Sequence, residues 1–178
     1  MKAFMKIDAS LFEELISHLL PAGNSQEQAA FLFAHPTRSD HQVMLEVVEA
    51  KKLGPADFAS QEGDYLEMSD ATRASLIKQA HDLKASLVEM HSHLGPWPAG
   101  FSYADRRGLQ ETVPHMWWRL NKRPYLAIVV TNSNFDALLW LDNAKVPRAL
   151  DALLVSGKAL KPTNYSLGGW CERAAGTV

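Results

Sequence analysis

Residues 87–105, LVEMHSHLGPWPAGFSYAD, are the stretch around which the chain is organised. An apolar run (Ala85, Leu87, Val88) leads into His91 and His93, two positions apart. On a strand, side chains two apart leave the same face, so both imidazoles project to one side and can share a metal. Ser102 and Asp105 follow at a spacing of three, which on the first turn of a helix also aims two side chains the same way. A strand ending in two histidines and a helix starting at Ser102 therefore converge.

The flanking sequence supplies a mixed scaffold. Residues 8–20, DASLFEELISHLL, place Leu11, Phe12, Leu15, Ile16, Leu19 and Leu20 at helical spacing behind Asp8 or Ser10 as caps, and Pro21, Gly23 and Asn24 stop the helix. Residues 29–34, AAFLFA, read as a buried strand, with the Val-rich residues 43–50 as its hairpin partner across a turn at 37–41. Glu27 stands just before the first strand, where a carboxylate lies at the mouth of the sheet. Residues 54–64, GPADFASQEGD, read as a flexible surface flap, 65–68 as a short strand and 70–82 as a helix capped by Ser69. Residues 103–121 read as a helix that Pro114 should kink or divide near Thr112, its second half anchored by Trp117, Trp118 and Leu120. YLAIVVT (125–131) and DALLWL (136–141) form a further antiparallel pair. Residues 149–155 are another apolar run, and the Gly-rich end carries no assignment.

The 178 residues fit one domain, 1–178, with 47% hydrophobic and 21% charged residues, as in ordinary globular chains. A formal net charge of -2 with scattered Lys and Arg argues against nucleic acid as a partner. The single cysteine, Cys171, excludes an intrachain disulfide and a Cys-rich metal site. Asp8, Glu13 and Glu14 interrupt any leader-like run and no apolar stretch reaches spanning length, so a cytoplasmic, membrane-free setting is expected.

A catalytic zinc takes three protein ligands and keeps one open position, a set that His91, His93 and Asp105 can supply. Amide hydrolysis further needs a non-ligand carboxylate as base and acid, and a hydroxyl such as that of Ser102 facing the carbonyl oxygen. Competing explanations exist for each residue. Ser102-x-x-Asp105 is also a plain capping box. Glu46, Glu49 and Glu89 rival Glu27 by lying in or near apolar runs. His18, His35, His41, His81 and His115 read as helix-surface or turn residues. Trp97 and Phe101 are placed on the rim of the cleft as substrate contacts, with simple loop packing as the other explanation.

These residues resemble the JAMM motif of the JAB/MPN metalloprotease family: an upstream glutamate (Glu27), His91-Ser92-His93, then Ser102-Tyr103-Ala104-Asp105. The likeness spans roughly residues 8–142, with Leu94 where the family usually has proline and one extra residue in the loop between His93 and Ser102. It implies an α/β (α+β) fold, a curved, mostly antiparallel sheet flanked by helices. It further implies one Zn2+ per chain on His91, His93 and Asp105, Glu27 as general acid/base and Ser102 supporting the oxyanion. The compact form is similar to stand-alone bacterial JAB enzymes, which implies an isopeptidase or processing protease acting at the C-terminal tail of a ubiquitin-like modifier. Its partners would be that modifier or its conjugates and the associated activating and conjugating enzymes. The alternatives are a peptidase releasing a small amine or amino acid from a carrier protein, and an inactive MPN interaction scaffold.

Overall fold

The computed structural model describes residues 1–171; of the domain expected over 1–178, residues 172–178 lie outside the described residues. The chain runs β1 (Lys2–Ile7), α1 (Ala9–Leu19), β2 (Ala29–Arg38), β3 (Gln42–Lys52), β4 (Phe58–Gln61), β5 (Leu66–Met68), α2 (Asp70–Asp82), β6 (Ser86–Ser92), α3 (Tyr103–Arg119), β7 (Tyr125–Val130), β8 (Phe135–Trp140), β9 (Ala152–Val155), β10 (Lys158–Leu160) and α4 (Tyr165–Cys171). Eight strands form one curled sheet in the order β10-β9-β1-β3-β2-β6-β7-β8, while β4 and β5 form a separate hairpin. Within the large sheet β1 runs parallel to β3 and β9, and β6 runs parallel to β7. The other four neighbouring pairs are antiparallel, so the expected α+β architecture holds with a more mixed sheet than "mostly antiparallel" suggests.

Side-chain alternation divides the sheet into two apolar faces. One is covered by α1, whose Leu15 and Leu19 are buried and whose Leu11, Phe12 and Ile16 pack against the core cluster that includes Met5, Leu32, Val88 and Met90. Asp8 starts this helix by accepting from the N–H groups of Ser10 and Leu11. The other face is covered by α2, α3 and α4, through Leu76, Ala80, Leu109, Val113, Met116, Leu120 and Trp170. Leu87 belongs to this second face while Val88 and Met90 belong to the first. Glu89 and His91 share the parity of Leu87 and therefore point toward α2 and α3.

Several elements differ from the sequence reading. Residues 2–7 form an interior strand, with Ala3, Met5 and Ile7 buried, that had no assignment because a six-residue alternation at a chain end resembles an ordinary tail. Residues 54–64 are not a structureless flap: Pro55–Asp57 make a 3-10 turn and Phe58–Gln61 pair with Leu66–Met68. Asp57 fastens the base of this hairpin, accepting from Gly54 N–H and the Thr72 hydroxyl, each at 2.9 Å. Pro114 does not divide α3, which is continuous from Tyr103 to Arg119. The i−4 residue, Gln110, is exposed, so water can serve the carbonyl that the missing N–H leaves, and buried Val113 and Met116 hold both sides of the break. Trp118 is not an anchor either: it is 71% exposed, off the stripe formed by Leu109, Val113, Met116 and Leu120. No helix is long and apolar enough to cross a membrane among the described residues.

Candidate metal centre

The site forms where the ends of β2 and β6 meet the start of α3. His91 lies on β6 and His93 one residue past its end, and the backbone N–H of His93 donates to Val130 O at 2.9 Å, prolonging the alignment of β6 with β7. Asp105 is the third residue of α3, which Ser102 caps: the Ser102 hydroxyl accepts Asp105 N–H at 3.1 Å, and Ser102 N–H donates to Asp105 Oδ2 at 2.7 Å. The capping box and the ligand assignment are thus one arrangement, in which satisfying the helix end also fixes the carboxylate.

Three donor atoms converge. His91 Nε2 and His93 Nε2 are 3.2 Å apart, and Asp105 Oδ2 lies 3.5 Å from the first and 3.1 Å from the second. With metal–ligand bonds of about 2.0–2.1 Å, the edge of a tetrahedron around zinc is roughly 3.3–3.4 Å. The triangle matches that edge, so the three residues fit a metal ion. The donor set gives the same answer chemically. A single proton can serve only one pair of these lone pairs at a time, whereas a divalent cation satisfies all three.

Glu27 is brought to the cluster, with Oε1 at 3.7 Å from His93 Nε2 and the residue only 6% exposed. Of its rivals, Glu46 pairs with Lys6 and Glu49 accepts from Gln79 away from the cluster, while Glu89 lines an adjoining cavity and accepts from Tyr125. Burial pushes the Glu27 carboxyl above its ordinary range, against the opposing pull of His93 and His91. Burial also disfavours the charged form of Asp105, yet hydrogen bonding to His91, His93 and Ser102 outweighs it and holds that carboxyl far below the carboxylate range. For His91, burial works against protonation, while Asp105 outweighs it and raises the imidazole.

Other side chains position this set without a signal in the sequence. Ser92, fully buried between the two histidines, accepts Gln28 N–H on its hydroxyl at 3.0 Å, and its own N–H donates to Gln28 O at 3.0 Å, so the histidine strand grips the segment carrying Glu27. From the hairpin, Gln61 Nε2 donates to Glu27 O at 3.0 Å. The 94–102 loop is tied down by Asn134 Oδ1, which accepts Ala99 N–H at 2.7 Å, and by the Ser166 hydroxyl, which accepts Phe101 N–H at 2.7 Å. Ser166 N–H in turn donates to buried Asp136. All these are contacts to main-chain atoms, which leave no residue spacing to detect. Gly95, at φ +112, follows Leu94 and makes the turn after His93.

Phe101 does not sit on a rim. It is 5% exposed and meets the His91 ring edge-on at 5.7 Å between centroids, packing the ligand in place. Trp97 is 74% exposed beside Gly95. Neither lines the cavity of about 410 Å³ that adjoins Glu27, His91 and Asp105 and lies between the β4–β5 hairpin and α3. His18 and His35 are used on main-chain carbonyls, Ala29 O and Leu83 O, and do not join the three converging donors. No protein-family model matches this chain, and no curated protein matches it either.

Proposed function

We propose that this protein is a JAMM-type zinc metalloprotease that hydrolyses a peptide or isopeptide bond after the C-terminal tail of a ubiquitin-like modifier. The observation that carries the reading is the convergence of His91, His93 and Asp105 at mutual distances of 3.1–3.5 Å with an additional buried carboxyl, Glu27, 3.7 Å from His93. His91 Nε2, His93 Nε2 and Asp105 Oδ2 would hold the ion. Zinc, when bound, supplies a Lewis acid that polarises the carbonyl and brings the pKa of a water toward ~7.

The chain's own groups then perform the proton work. Glu27 Oε1 takes the proton of the attacking water and returns it to the leaving amine, so no covalent enzyme intermediate forms. The Ser102 hydroxyl accepts from Asp105 N–H and, by turning its own O–H from the Asp105 carboxylate, would donate to the oxygen that becomes negative. Gln61 and Ser92 hold the Glu27–Gln28 segment from two sides, so the base is fixed before substrate arrives. The cleft between the hairpin and α3 suits a thin extended chain such as a modifier's tail, which adds beside the hairpin as a strand. Modifier conjugates, and the enzymes that activate and conjugate the modifier, are the partners this function entails.

The test is metal content and cleavage of a modifier fusion by the wild type, by His91→Ala/His93→Ala and by Glu27→Gln. About one zinc per chain is expected in the wild type and none in the double histidine variant. Glu27→Gln should keep the metal and lose about 10²–10⁴ in rate. A folded wild type that takes up no zinc, or a Glu27→Gln variant that cleaves at the wild-type rate, would overturn the proposal.

A further inference from the structure

We propose that the cavity beside the metal ligands is a specificity subsite for a basic side chain, arginine or lysine, of the substrate peptide, and that Glu89 receives its charge. This rests on the protease reading above and names which peptides it favours. The cavity shares His91 and Asp105 with the metal centre and extends to Glu89 and Tyr125. Glu89 precedes His91 by two residues on the same strand face, so its place on β6 is about 6.4–6.8 Å from that of His91. A side chain entering beside the scissile bond must therefore be long to reach it.

The walls suit such a side chain. Phe58, Leu66 and Met68 of the hairpin and Leu109 of α3 are apolar, matching the three- or four-carbon stem of a basic residue. The polar end is prepared. Tyr125, only 1% exposed, donates its hydroxyl to Glu89 Oε2, which fixes the carboxylate and is its single side-chain hydrogen bond among the described residues. A carboxylate accepts at both oxygens, so Oε1 remains for a ligand donor. A carboxylate in so enclosed a place is costly, Arg73 acts on it from across the cavity without forming an ion pair, and an arriving guanidinium or ammonium relieves more of that cost.

The charge around the cavity agrees. Apart from Glu27 and Asp105, four carboxylates line it, those of Asp64, Glu67, Glu89 and Glu111, against one permanent cation, Arg73. Arg73 forms no ion pair among the described residues. It is the group that would instead receive an acidic side chain, and the experiment must separate the two.

Fluorescein-labelled peptides with a central Gly-Gly bond, carrying Arg, Lys, norleucine or Glu at each of the two positions on either side, provide the probe. Binding is measured by fluorescence polarisation to zinc-loaded Glu27→Gln protein, and cleavage with the wild type. At one position, Arg and Lys peptides should bind about tenfold to a hundredfold more tightly than the norleucine peptide, with Glu weakest. Glu89→Gln in the same background should abolish that preference, read as the ratio of Arg or Lys to norleucine affinity, and Tyr125→Phe should reduce it. Equal binding of all four peptides, no binding of any, or a preference for Glu would overturn the subsite. Should Glu89→Gln not fold, the peptide series on the unaltered cavity and Tyr125→Phe still decide. Binding preference without cleavage would sink the protease reading alone, and cleavage without preference would sink the subsite alone.

Discussion

Ser102 and Asp105 have two structural duties, and they can be separated by substitution. Ser102 caps α3 through its hydroxyl, while Asp105 Oδ2 faces both histidines and also accepts Ser102 N–H at 2.7 Å. Ser102→Ala removes the cap and should cost about 1 kcal/mol, with or without metal. For a chain of this size that is about 2–4 °C in Tm. Ser102 N–H survives the substitution, so the orientation of Asp105 and the metal-dependent stabilisation should persist. Asp105→Asn reverses the pattern. Its amide oxygen can still accept from Ser102 N–H, so the cap is kept, but the anionic ligand is gone. At a free zinc concentration a hundred times the wild-type Kd, the wild type should gain about 2.7 kcal/mol, or about 5–11 °C. If the variant binds a hundredfold more weakly, a loss at the upper end for groups that only orient a ligand, its gain at the same zinc concentration is about 0.4 kcal/mol. Thermal unfolding of the three proteins in zinc and in chelator makes the comparison. A full zinc increment in Asp105→Asn would refute the ligand assignment, whatever the fate of the cap.

Two further predictions concern the scaffold. Gly54 N–H is the main cause that holds the Asp57 carboxyl below its ordinary value of 3.8, burial opposes it, and Thr72 and Lys51 assist. A depressed folded-state value means that this stabilisation is complete above the ordinary value and is lost as pH falls through the lowered one. Asp57→Asn should therefore cost about 1–2 kcal/mol near neutral pH, and denaturant titrations should show the gap to wild type closing as pH drops below 3.8, whereas a constant gap would contradict the sign. Pro114→Ala restores an N–H inside α3, where proline costs about 3 kcal/mol, set against the entropy proline removes from the unfolded chain and the packing of its half-buried ring. A net gain of about 1–2 kcal/mol is expected, seen as a higher Tm; a lower Tm would show that ring packing dominates.

What was legible in the sequence was whatever has a short period or a short spacing. α1 and α2, the β2–β3 hairpin and the β7–β8 pair lie within one to four residues of where apolar periodicity and caps place them. His91, His93 and Asp105 converge because strand parity and a helix cap are local rules, and the rules act within fifteen residues of each other. What was not legible depends on partners far along the chain. β1 is a strand because it pairs with β3 and β9, tens of residues and more than a hundred residues away. Residues 58–64 read as loop because Ser60, Gln61, Glu62, Gly63 and Asp64 look like a turn, yet Phe58–Gln61 pair with the expected strand at Leu66–Met68, and Asp57, anchored to Thr72 on α2, gives the hairpin a fixed base.

The same distinction explains why the supports of the site had no signature while its ligands did. A ligand must present a particular side-chain atom, which restricts residue type and spacing. A support such as Ser166 acts by accepting the Phe101 N–H, and any chain segment that arrives with a suitable hydroxyl can serve. Phe101 then sets the His91 ring from its edge, Asn134 fixes Ala99, and Ser92 locks Gln28 beside Glu27. Two distant parts of the chain, the β7–β8 turn and the start of α4, together with Ser92 at the end of the histidine strand, thus hold the metal ligands and the base through main-chain hydrogen bonds. The loop carrying Trp97 between the ligands can consequently vary in length and sequence at its exposed tip while its two ends stay fixed, so an extra residue and a leucine in place of proline leave the donor triangle intact.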